Sequence, residues 1–183
     1  MGTFVKIFGL IGWSGSGKTT LIAGLLPVLI GRGLGVSTVK HGHHAIDIDT
    51  PGKDSYRHRE AGATEVLLMS GRRWALMHEV RDSTEPALDD LIGHMTPVDL
   101  LLVEGFKTAR HDKLEVHRPI LGEPLMAPGD PSIVAVASDS ALAGLDRPRL
   151  DLNDPAAIAD FIQRHCGLRG RQPVREADHD FVR

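Results

Sequence analysis

Apolar and polar positions alternate along this chain in the rhythm of strands and helices taken in turn. Phe4 to Ile11 is mostly apolar and reads as a buried strand. Leu21, Ile22, Leu25, Leu26 and Leu29 then recur at helical spacing, which predicts a helix from about Lys18 to Gly31, with Pro27 inside it as an expected kink. Leu34 to Val39 reads as a second strand, followed by a polar loop from Lys40 to Thr50. Thr50-Pro51 has the form of a helix start, and that helix is expected to end near Gly62. Thr64 to Met69 and Trp74 to Val80, separated by Ser70-Gly71-Arg72-Arg73, predict an antiparallel hairpin.

Thr84 and Pro86 open a further predicted helix, with Leu88, Leu91, Ile92 and Met95 on its buried side. Val98 to Val103 is a nearly unbroken apolar run, the signature of a central parallel strand. Leu114 to Val116 is a weaker strand candidate, 119–131 reads as a Pro/Gly-rich loop, and Ile133 to Ala137 is a further strand. Asn153 to Pro155 caps a last helix on which Ile158, Phe161, Ile162 and His165 share a face. The pattern predicts an α/β fold of the P-loop NTPase type. Its central sheet is mostly parallel and flanked by helices, with an antiparallel addition around residues 64–80. We expect one nucleotide-binding domain over 1–166 and a charged, mobile tail over 167–183.

Bulk properties narrow the class. The chain has 183 residues, 42% of them hydrophobic and 25% charged, ordinary values for one globular domain. A formal net charge of -3 gives no overall electrostatic case for nucleic acid, and no apolar run is long enough to cross a membrane. The single cysteine, Cys166, excludes an internal disulfide framework and leads us to expect a cytoplasmic protein.

The chemistry centres on Gly12-Trp13-Ser14-Gly15-Ser16-Gly17-Lys18-Thr19, which fits G-x-x-x-x-G-K-[ST] at every fixed position, between a predicted strand and a predicted helix. Backbone N–H groups of such a loop and the dipole of the following helix cradle phosphate. The candidate nucleotide-binding residues are therefore Gly12, Ser14, Gly15, Ser16, Gly17, Lys18, Thr19 and Thr20. Lys18 would reach the β- and γ-phosphates and the Thr19 hydroxyl would join Mg²⁺. Glu104, after the apolar run, could hold Mg²⁺ or polarise a water, and as a solvated acid it would do neither. Lys18 and Glu104 are the two catalytic candidates.

The stretch 40–49 holds three histidines and two aspartates. It could bind a transition metal, lie over the nucleotide with Asp47 or Asp49 supporting Mg²⁺, or be a plain polar loop. Lys53 and Arg57 share a helix face and, with His41 and Lys107, could grip a second anion; a solvated surface is the alternative. Asp139, after the last strand, could accept from the guanine N1 and N2 donors or simply occupy a turn. The guanine signature N-K-x-D is absent.

Taken together, Gly12 to Thr20, Val39-Lys40-His41 with its His/Asp loop, Asp49 to Ser55, Arg57 to Ala63 and Val103 to Lys107 resemble the molybdopterin-guanine dinucleotide biosynthesis protein B family (MobB). The resemblance implies a GTP-binding P-loop protein that forms a homodimer, hydrolyses GTP slowly with Mg²⁺, and assists a separate guanylyltransferase in attaching GMP to molybdopterin. The basic helix and the His-rich loop would then meet the pterin phosphate or the transferase. Three alternatives remain at this point: a metallochaperone-type GTPase, an ATP-dependent small-molecule kinase or ligase on the same fold, and a non-enzymatic nucleotide-gated adaptor that binds the transferase more tightly when GTP is present.

Overall fold

The computed structural model describes residues 5–42, 48–81 and 84–170. They fall into two compact units. One comprises the chain up to His41 and from Thr96 onward, the other Gly42–Met95.

The first unit is built on six parallel strands: β1 (Lys6–Ile11), β2 (Val36–Lys40), β5 (Leu100–Glu104), β6 (Lys113–His117), β7 (Ile133–Ser138) and β8 (Arg149–Asp151). They lie in the order β2-β5-β1-β6-β7-β8. Parallel neighbours need crossovers: helix α1 (Lys18–Gly31) supplies the one from β1 to β2, and with α4 (Pro155–Cys166), which follows β8, it covers one face. Phe8, Leu10, Leu102, Leu114 and Val116 of the sheet meet Leu25 and Leu29 of α1 and Ile158 and Ile162 of α4 in the main core. A smaller core on Ile11, Ile133 and Val136 lies beneath the 125–145 region. Buried Glu115 on β6 accepts the backbone N–H groups of Met126 and Ala127, so the Pro/Gly-rich loop is tied down by a carboxylate.

β6 is the clearest upgrade over its sequence signal. Its five residues are all buried between β1 and β7, although Lys113, Glu115 and His117 break the apolar run. The Lys113 ammonium is satisfied by Asp130 and Ser132, which is how a lysine can sit in a central strand. β8 has no sequence signal because three residues cannot show a period. α4 begins as its cap predicts: the Asp154 side chain accepts from Ala157 N at 2.9 Å. α1 runs through Pro27 as one helix. Gly167 (φ 64°) closes α4, the Leu168 N–H reaches Gln163, and Leu168 packs on the main core. The chain therefore stays with the first unit beyond 166, and residues 171–183 of the expected tail lie outside the described residues.

The second unit holds α2 (Asp54–Glu60), the hairpin β3 (Glu65–Met69) and β4 (Trp74–His78), and α3 (Leu88–Ile92). The hairpin forms as predicted but as a separate two-stranded sheet. α2 starts later than Thr50-Pro51 suggests, because Gly52 takes φ 86° and turns the chain first. Asp49 organises that turn, accepting from Thr50 N and Ser55 Oγ at 2.9 and 2.8 Å. α3 is one short turn in which only Leu88 is buried; Leu91, Ile92 and Met95 are half-buried. No described helix is long and apolar enough to cross a membrane.

Candidate functional site

β1 delivers the glycine loop to the carboxyl end of the sheet. Gly12 has φ 148°, and a Cβ there would collide with the Val116 carbonyl of β6. Gly15 (φ 76°) and Gly17 (φ 100°) take conformations that L side chains rarely adopt, and Gly17 is the residue before α1. The sequence spacing of glycines is thus a steric requirement of the loop. Ser16 is buried inside it with its Oγ unpartnered, while Ser14, Gly15, Thr19 and Thr20 face solvent.

The Lys18 ammonium arches back over the loop and donates to the carbonyls of Trp13 (2.8 Å) and Gly12 (3.1 Å). Burial pushes its pKa down, Glu104 opposes that shift, and Lys107 and Lys40 add to it. Three ammonium groups around one loop repel each other and favour an anion at its mouth.

Register brings the other groups in. Lys40 and Leu10 both pair with Glu104 across β5, so the ends of β1, β2 and β5 lie level. Buried Glu104 accepts from the Thr19 hydroxyl at 2.9 Å, and the Lys40 ammonium lies 3.4 Å from both oxygens. Beyond it, Gly105 (φ 91°) and Phe106 (φ 50°) form a strained turn. The His41 N–H bonds the Glu104 carbonyl, and the His41 ring lies 4.7 Å from that of Phe106. The turn places the Lys107 ammonium 4.7 Å above the Trp13 ring. Lys18, Thr19, Glu104, Lys107 and the start of the His loop therefore converge as the sequence suggests.

The remaining candidates divide by unit. Asp49, Lys53 and Arg57 belong to the second unit; Lys53 and Arg57 are exposed there and Asp49 serves the α2 turn. His43, His44 and Asp47 lie outside the described residues. Among the described residues no three His, Cys, Asp or Glu side chains are placed to hold a metal. Asp139 follows β7 as expected, but its carboxylate is engaged: Oδ2 by Arg118 at 2.6 Å and Oδ1 by Ser140 Oγ at 3.1 Å. Arg118 went unnoticed in the sequence. It follows a strand that was itself weakly signalled, and the position just past a strand end was the available clue.

A parallel sheet, a glycine loop leading into a helix, and a carboxylate on the helix's first hydroxyl together define a P-loop α/β protein. Residues 7–139 match the family described as Molybdopterin guanine dinucleotide synthesis protein B, and the chain belongs to that family. It is 43% identical over 163 residues to the molybdopterin-guanine dinucleotide biosynthesis adapter protein of Escherichia coli K12, covering 87% of this chain and 93% of that protein. The Haemophilus influenzae adapter protein is 42% identical over 166 residues, covering 89% and 90%. A crystal structure of molybdopterin-guanine biosynthesis protein B aligns with a TM-score of 0.69 at 28% identity, over 87% of this chain and 99% of that one.

Proposed function

We propose that this protein is an adapter in the biosynthesis of molybdopterin guanine dinucleotide that works in the cytoplasm and binds GTP with Mg²⁺ at the glycine loop. The place in cofactor biosynthesis rests on family membership and on the adapter role named for relatives that align over nearly their whole length. The nucleotide reading rests above all on one arrangement: the Lys18 ammonium over the loop carbonyls with the Thr19–Glu104 pair beside it.

Thr19 and Glu104 fit Mg²⁺, which prefers hard oxygen donors and is usually held by one or two protein groups plus substrate phosphates. The ion would neutralise charge on the β- and γ-phosphates. Of this chain's residues, Lys18 exchanges its two carbonyl partners for phosphate oxygens, and Glu104 keeps the Thr19 hydroxyl facing the site. Hydrolysis is slow on this reading because Gln163, the one glutamine among the described residues, is committed to Arg32 at 2.5 Å and lies on α4. The bound GTP is then held for a guanylyltransferase partner, with Lys107 and His41 at the rim of the loop toward molybdopterin or that enzyme.

The protein acts as a homodimer. Leu67, Leu76, Met69 and Trp74 pair across one exposed face of the hairpin, and two isolated strands with such a face are only marginally stable in water. A second copy offers the same apolar surface.

Calorimetric titration with GTP and ATP, with and without Mg²⁺, tests the nucleotide reading. Mg²⁺-dependent GTP binding that is lost in Lys18→Ala supports it. Preference for ATP would move the protein to the kinase or ligase class. Stoichiometric binding of zinc or nickel would move it to the metallochaperone class.

A further inference from the structure

The ends of β6 and β7 lie side by side, His117 pairing with Ser138, so the next residues, Arg118 and Asp139, are brought together behind the glycine loop. Arg118 Nε donates to the Ser16 carbonyl at 3.1 Å, and its Nη1 donates to Asp139 at 2.6 Å. The guanidinium also lies 3.6–3.7 Å from where a Cβ on Gly17 would stand. The pair is partly sheltered, with side-chain exposures of 35% and 23%.

One planar peptide links Ser16 to Gly17, and no peptide bond among the described residues is cis. In a trans peptide the carbonyl and the following N–H point in opposite directions. A carbonyl held on the Arg118 side therefore turns the Gly17 N–H to the other side. No backbone carbonyl accepts that N–H among the described residues, as befits a donor at the start of a helix. Both Asp139 oxygens are engaged, one in fixing Arg118 and the other in the adjoining turn.

We infer that Arg118 and Asp139 are positioning residues for phosphate binding. Asp139 orients Arg118, Arg118 orients the Ser16–Gly17 peptide, and that peptide presents its N–H to the anion. The inference rests on the proposed binding of a nucleoside triphosphate at this loop. It replaces a base-reading role for Asp139 with a phosphate-directed one. Reading guanine through Asp139 would compete with a 2.6 Å ion pair that supports the loop.

The test is titration of the full chain with GTP, ATP and inorganic tripolyphosphate, which has no base, in the presence of Mg²⁺. Wild type is compared with Arg118→Ala, Arg118→Lys, Asp139→Asn and Lys18→Ala, with melting temperatures measured alongside. Arg118→Ala and Asp139→Asn should weaken every ligand that wild type binds by a common factor of about tenfold, the scale of one charge-assisted hydrogen bond. Arg118→Lys, which keeps the charge but replaces two separated donor nitrogens with a single one, should fall between. The downfield shift of the Gly17 amide proton on binding tripolyphosphate should shrink in Arg118→Ala, a change that general destabilisation does not produce. An altered GTP/ATP ratio in Asp139→Asn with tripolyphosphate unchanged would overturn the inference in favour of base reading. Wild-type affinities in both Arg118 variants, with binding still lost in Lys18→Ala, would overturn it while leaving the nucleotide reading intact. Failure of wild type to bind any of the three ligands would remove the nucleotide reading itself.

Discussion

Two five-residue strands of almost the same composition, Leu-Leu-Leu-Val-Glu in β5 and Glu-Val-Leu-Leu-Met in β3, meet opposite fates. Every residue of β5 is buried, whereas in β3 only Val66 is, and Met69 is 83% exposed. β5 pairs on both edges, with β1 and β2, and lies in a packed sheet; β3 pairs with β4 alone. An apolar strand thus announces that something covers it, without saying whether the cover belongs to the same chain. In the first unit it does. In the second, the bare face of the hairpin is what we assign to another copy.

The contrast can be broken most forcefully in the core. Leu102→Ala, at a fully buried position, should cost about 2–5 kcal/mol of folding stability. Leu67→Ala, measured at low protein concentration, should stay within about 0.5 kcal/mol. Denaturant midpoints check both, and equal losses would show that the hairpin is as deeply packed as the sheet.

Glycines offer a sharper comparison at smaller cost. Gly62 (φ 106°) has open space around its Cβ position, so Gly62→Ala should cost only the strain of its backbone, about 1–2 kcal/mol. Gly12→Ala adds the clash with the Val116 carbonyl and should lose more stability together with GTP binding. Thermal melts and calorimetry separate the two; retained GTP binding in Gly12→Ala would count against the loop as the site.

The least effect on folding is expected from Trp74→Lys, a change on the exposed face of β4. Its stability at low concentration should match wild type within about 0.5 kcal/mol, while sedimentation reports a monomer in place of a dimer. An unchanged dimer would place the interface elsewhere.

Much of the site was legible because its requirements are local. Glycines at Gly12, Gly15 and Gly17, a lysine and a hydroxyl in sequence, and apolar flanks of matching period all sit within one short stretch. Glu104 was legible for a related reason: a charge at the end of a wholly apolar strand marks the sheet's carboxyl edge. The start of α2 was misread because Thr50-Pro51 carries a real cap signal that the positive φ of Gly52 overrides. Arg118 was missed because it speaks only through neighbours more than a hundred residues and about twenty residues away, Ser16 and Asp139.

What this sequence determined alone was the glycine loop, the alternation of strands and helices around it, and the family. Each depends on side-chain types at short, fixed spacings. Tertiary structure alone decided that β6 lies at the heart of the sheet, that Lys40 reaches Thr19 and Glu104, and that Asp139 faces an arginine. Those outcomes depend on which strands become neighbours and in what register. Register is settled by the whole core packing at once, and no single segment encodes it.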